Sequence, residues 1–260
     1  MKSDSIEFED SSAPQLFVKA GVDCPGCKLN EQCAWYDNQL KTSLVGRYIA
    51  QKSVFEEQIL SACIPLAGLD SGSIEDKMRK YSKGAALRQA NKAVRKGYVF
   101  KQVNPKCYIE DIVAINISTP QRAGKEMTTP YRRSIEELAQ YASNAPEYQP
   151  SVCNNHWDRW WGVFQSDSDQ MFAYARIRRN GNFVLYAQWL GHFEFLKDGI
   201  MNGLHVSILN WLCEHSNPVV CGLEFAVYAA WHSGDGGLQS WKKRCGFEPS
   251  WLVMDGGNVG

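Results

Sequence analysis

Three cysteines, Cys24, Cys27 and Cys33, stand in VDCPGCKLNEQC as C-x2-C-x5-C. Thiolates at that spacing, with a Pro-Gly turn between the first two, suit a shared zinc ion or an iron–sulfur cluster. The chain has no histidine before His156, so Cys63 or Cys107 would have to supply a fourth ligand through the fold. Ordinary reduced thiols are the alternative. Farther on, groups able to move protons gather in two short segments, His192 and Glu194 in LGHFE and Glu224 and Tyr228 in LEFAVYAAWH. An imidazole titrates near neutral pH, so His192 is either a base or a hydrogen-bonded histidine at a strand end. Glu224, within an apolar run, is either solvated or paired, or a base of raised pKa. Tyr228 is either a core tyrosine with a tied hydroxyl or a proton donor. His205, in mid-helix, reads as structural.

The whole chain bounds these readings. Its 260 residues suffice for one large domain. Lys plus Arg equals Asp plus Glu at 28 each, so contact with nucleic acid or an anionic surface would have to be local. Nine scattered cysteines in a chain with an acidic, polar N-terminus, unlike a signal peptide, favour reduced thiols. With no apolar stretch long enough to span a bilayer, the expectation is a soluble, cytoplasmic protein without a membrane span.

The elements that must carry the candidate groups are readable from periodicity. Leu44, Tyr48 and Phe55 hint at a helix between Leu40 and Leu60, and ACIPLAGLDSGS reads as a loop or short buried piece. AALRQANKAVRKG predicts an amphipathic helix with Leu87, Ala90 and Val94 inside and Arg88, Lys92, Arg95 and Lys96 outside, ended by Gly97. That basic face is either solvated or a phosphate-binding surface for tRNA or a nucleotide-bearing donor. YVFKQVN alternates as a strand, YIEDIVAINIST has helical spacing, and Ser134 with Glu137 marks a capped second helix. RWWGVFQ, QMFAYARIRR and NFVLYAQWL read as strands, the last two joined at Asn180-Gly181. Trp157, Trp160 and Trp161 would line a ligand pocket or fill core. A helix from Phe195 to His215, the strand CGLEFAVY, a helix placing Leu238, Trp241 and Cys245 on one face, a left-handed stop at Gly246 and a closing strand complete the order.

That order from Tyr98, ending in GLQSWKKRCGFEP, resembles the GNAT superfamily of N-acyltransferases over about Tyr98 to Met254. ALRQANKAVRKGYVF is similar to the Arg-rich lead-in of Fem-type aminoacyltransferases, which use the same fold with aminoacyl-tRNA as donor. The resemblance implies an α/β fold with a mixed, mostly antiparallel sheet flanked by helices over residues 76–260, behind an N-terminal extension of residues 1–75 that bears the cysteines. It further implies transfer of an acyl group from a thioester, most simply acyl-CoA, to an amine on a small molecule or peptide. The donor would enter where two strands part near Leu190 and Ala226, beside His192, Glu194, Glu224 and Tyr228. Leu190, Gly191, Gly199, Met201, Asn202, Gly203 and Trp241 would contact it. Two departures stand out: Met201 occupies a position where the family has a close glycine, and Trp241 replaces its proton-donating tyrosine. Aminoacyl transfer from tRNA and a non-catalytic binding module are the alternative readings.

Overall fold

The structure, a computed structural model, describes residues 13–19, 31–40, 49–50, 60–122, 125–151 and 153–254. Cys24, Cys27 and most of the helix expected between Leu40 and Leu60 lie outside them. The described strands are β1 (Gln15–Val18), β2 (Ile49–Ala50), β3 (Ser61–Pro65), β4 (Tyr98–Val103), β5 (Gln121–Arg122), β6 (Lys125–Glu126), β7 (His156–Gln165), β8 (Met171–Asn180), β9 (Phe183–Gly191), β10 (Phe225–Ala230) and β11 (Glu248–Met254). The helices are α1 (Glu31–Gln39), α2 (Ser71–Lys80), α3 (Ala85–Arg95), α4 (Ile109–Ile117), α5 (Ile135–Asn144), α6 (Ile200–Leu212) and α7 (Gly236–Arg244).

One sheet runs β1-β11-β3-β10-β9-β8-β7-β4, with β2 also on β11 and β5-β6 a separate hairpin. From β4 to β9 every pairing is antiparallel, β9 and β10 are parallel, and β3 pairs antiparallel with both β10 and β11. This is the expected mixed, mostly antiparallel sheet flanked by helices. ACIP, read above as a loop or short buried piece, is the buried strand β3 in the sheet's interior. The division expected at residue 75 falls inside α2, and the sheet takes strands from both sides of it.

Side-chain alternation divides the core between the two faces of the sheet. Trp157, Trp161 and Val163 join α2, α3 and α6 in one cluster, while Trp160 and Phe164 join α4 and α5 in another. All three tryptophans are core residues. In α3 the inward face is Ala86, Ala90 and Ala93, and Val94 is 58% exposed rather than inside. Alanines let α3 approach α6 so closely that a Cβ on Gly199 would lie 2.2 Å from the Gln89 carbonyl oxygen. Gly199, at φ 83°, also breaks the helix expected from Phe195: residues Phe193–Asp198 form 3-10 turns and α6 starts at Ile200. The capping box of α5 is complete, with Ser134 and Glu137 satisfying each other's backbone N–H groups. The β8–β9 hairpin pairs Asn180 with Phe183, so its two loop residues are Gly181, at φ 64°, and Asn182.

Candidate active site

β10 pairs with β9 through Phe225↔Phe183, Ala226↔Val184 and Val227↔Leu185, and no farther. Ala226 is therefore still zipped; the strands part just beyond it, well before Leu190 on β9. Three local features force them apart. The β8–β9 register shifts between Ile177↔Tyr186 and Arg176↔Gln188, which leaves Ala187 as a bulged residue and bends β9. On β10, Ala229 takes φ 51° and the register with β3 shifts between Val227 and Ala230. Finally, Lys242 of α7, fully buried, donates from Nζ to the carbonyls of Ala230 (2.6 Å), Trp231 (3.1 Å) and Ser233 (2.8 Å), tethering the outgoing end of β10. Burial pulls the Lys242 pKa down to about 8. In sequence Lys242 stands beside Lys243 and Arg244 in the basic last turn of the helix, where nothing local distinguishes it from its neighbours.

The parted strands open a cleft of about 500 Å³. β9 contributes Leu185 to Leu190, β10 contributes Tyr228 and Ala229, and Arg176, Arg178, Tyr131 and Gln39 complete most of the wall. Behind it Tyr228 packs between Trp241 (5.5 Å), Phe247 (5.8 Å) and Tyr186 (6.1 Å). Trp241 is thus an aromatic support one layer back, also 6.1 Å from Trp189.

The charges at the wall are matched internally. Arg178 Nε donates to Asp158 Oδ2 (3.1 Å), Tyr36 donates to the same oxygen (2.9 Å), and Arg176 lies 3.2 Å from Glu147. Burial works against the Glu147 carboxylate, but Arg176 and the Tyr141 hydroxyl together hold it below the usual range. Among the described residues lining the cleft there is no histidine and no carboxylate. Its hydroxyls differ in what they do. Tyr186 faces His205 Nδ1 (3.3 Å) and Gln188 stands beside the Tyr131 hydroxyl and offsets part of its burial, whereas the Tyr228 hydroxyl has no hydrogen-bond partner among the described residues. Burial pushes Tyr228 up to about 12, so it is a neutral O–H at physiological pH.

The other candidates lie elsewhere. Glu224 precedes β10 at the end away from the cleft, ion-paired to Lys19 (2.6 Å) and accepting from Asn182 (3.0 Å), which is the paired reading. His192 follows β9 with its ring against Phe195 (5.3 Å), and Glu194 is exposed beyond it; neither lines the cleft. Leu190 does line it. A Cβ on Gly191 would lie 2.7 Å from Met201 Sδ, and one on Gly203 would lie 2.2 Å from the Phe100 ring, so Gly191, Met201 and Gly203 are close-packing positions. Asn202 accepts from the Cys245 thiol (3.7 Å). Immediately before α6, Asp198 is buried and ion-paired to Lys96, with Tyr98 donating to it (3.1 Å). His205 is structural as expected: buried, neutral, and hydrogen-bonded through Nε2 to the Cys245 carbonyl (2.9 Å).

The third expected metal ligand, Cys33, is one residue of a cluster that the sequence did not connect. Cys33, Cys153 and His156 bring their ligand atoms within 4.8 Å of one another. Cys63 and Cys107, named above as sources of a further thiol, do not belong to it among the described residues; Cys63 is a buried residue of β3.

No protein-family model matches the chain, and no curated protein matches it in sequence. Among solved structures it is similar to FemX, at 9% identity and TM-score 0.49 over 74% of this chain and 59% of that one. It is also similar to a tandem GNAT protein from the clavulanic acid biosynthesis pathway, at 14% identity and TM-score 0.45 over 79% and 53%. A third is a functionally unknown conserved protein from Staphylococcus epidermidis, at 9% and 0.42 over 74% and 57%. The chain thus covers less than two thirds of each of these chains. The expected GNAT-like fold is carried by the chain's own strand order, with its parallel pair that separates into a cleft.

Proposed function

We propose that the chain is an N-acyltransferase working in the cleft between β9 and β10, with Tyr228 giving a proton to the departing group. The observation that carries this reading is the Tyr228 hydroxyl, protonated and without a partner among the described residues, at the point where the strands separate. From Tyr186 onward the β10-facing edge of β9 has no partner strand among the described residues, so its amide groups are available to an extended donor arm. An amine entering beside that arm attacks the donor's carbonyl carbon. The new C–N bond forms as the carbonyl π pair moves to oxygen, and collapse expels the thiolate or alkoxide, which takes the Tyr228 proton. The phenolate then recovers a proton from the ammonium through solvent. Because the described cleft wall holds arginines but no histidine or carboxylate to serve as a base, the rate should rise with pH in step with the free-amine fraction, with no inflection from an enzyme histidine.

Acyl-CoA is the first donor to test. Calorimetry with acetyl-CoA should give a micromolar Kd, and no heat at millimolar ligand would remove that donor. A second donor, an aminoacyl ester on tRNA, is favoured by the start of α6. There the Asp198 carboxylate and two close-packed glycines stand where a pyrophosphate would otherwise meet the helix N-terminus. This reading expects a salt-dependent tRNA mobility shift that disappears when Arg88, Lys92 and Arg95 become alanine. An unchanged shift in that variant would count against the basic helix as the contact.

A further inference from the structure

We propose that Cys33, Cys153 and His156 bind one zinc ion as three corners of a tetrahedron, fastening α1 to the start of β7. Cys33 lies on α1, and Cys153-x2-His156 enters β7 from the opposite part of the chain, 120 residues away from Cys33.

The two distances to Cys153 are those of a single ion, and all three ligand atoms lie within 4.8 Å of one another. The Cys33 and Cys153 sulfurs are 3.7 Å apart, and Cys153 Sγ is 3.6 Å from His156 Nδ1. Tetrahedral zinc with its ordinary Zn–S and Zn–N bonds has S···S edges of about 3.75 Å and S···N edges of about 3.6 Å. A disulfide would need the sulfurs at about 2.05 Å. A four-iron cluster takes one thiolate per iron and spreads its sulfurs much farther apart.

The surroundings fit the same assignment. His156 is 0% exposed, and its Nε2 lies 3.2 Å from Asp37 Oδ1, one helical turn beyond Cys33. The contact does not have hydrogen-bond geometry, but a carboxylate this close to the far nitrogen would hold the imidazole proton on that side once a metal fixed the ring, leaving Nδ1 as the ligand. The His156 amide also donates to Cys153 Sγ (3.2 Å), which fixes the sulfur against the start of β7. Cys33, Tyr36 and Asp37 share one face of α1, and Tyr36 stacks on the His156 ring at 5.8 Å. A lone Cys–His nucleophile pair would leave the second thiol and this arrangement of α1 unexplained. Through Tyr36, which bonds Asp158, and Gln39, which lines the cleft, the ion would set one wall of the cleft.

The test uses the full chain, purified under reducing conditions. Elemental analysis should find close to one zinc per chain, and cobalt substitution should give the intense visible bands of tetrahedral thiolate–imidazole coordination. Cys153→Ser and His156→Gln should lose bound zinc, whereas Cys107→Ser should keep it. Asp37→Asn should keep the ligands but weaken zinc about 10–100-fold in a competition with a chromogenic chelator. Should the ligand variants fold poorly, chelator-stripped parent protein replaces them: it should melt lower and recover with zinc but not with magnesium. Three results would overturn the proposal. These are iron with sulfide in place of zinc, reduced protein that takes up neither zinc nor cobalt, and a Cys153→Ser protein that binds zinc as the parent does.

Discussion

At the scale of single residues, the groups that matter are those whose partners are set by the fold. Tyr228→Phe removes the one cleft hydroxyl without a partner among the described residues and should lower kcat about 100-fold or more in an acyl-transfer assay. His192→Ala should leave kcat near that of the parent; the reverse ranking would refute Tyr228 as the acid. His205 supplies a pH prediction with a definite sign. Burial holds its pKa at about 4 against 6.5 in the unfolded chain, so the unfolded state takes up the proton first. Stability should then fall as pH drops from about 6.5 towards 4, by roughly 3 kcal/mol from this residue. Denaturant titrations of His205→Gln across that range should show a correspondingly flatter pH slope.

At the scale of elements, the contacts between α3, α6 and the sheet depend on missing side chains. Gly199 combines a left-handed backbone with the Gln89 carbonyl at its back, so Gly199→Ala should cost roughly 2–4 kcal/mol in chemical denaturation. Gly203→Ala meets an aromatic ring that can shift, and should cost about 1–3 kcal/mol. A smaller loss at Gly199 than at Gly203 would show that the backbone conformation is not limiting. Lys242→Met would leave three carbonyls without their ammonium and should cost about 2–4 kcal/mol while loosening the end of β10. Hydrogen exchange at Ala230 to Ser233 would report that loosening directly.

At the scale of the molecule, the sheet is built from both ends of the chain. β3, from residues 61–65, lies between β10 and β11, and β1 pairs along β11. A chain starting at residue 76 would expose the inner edges of β10 and β11 and should lack a cooperative melting transition by circular dichroism. A clean melt close to that of the full chain would show that residues 76–260 fold alone.

The sequence by itself determined most element types from Ala85 onward, the capped start of α5, the left-handed stop at Gly246 and the structural role of His205, because each follows from local periodicity or backbone preference, whereas the mixed, mostly antiparallel sheet was implied by the resemblance of the element order. Tertiary structure decided the rest. It made a strand of ACIP, rotated α3 to put alanines rather than Val94 inward, and buried Lys242 under the end of β10. It also put Tyr228 alone among the proton-carrying candidates at the cleft and joined Cys33 to Cys153 and His156. These are contacts between segments far apart in the chain, and neither hydrophobic period nor motif spacing encodes which distant segment a side chain will meet.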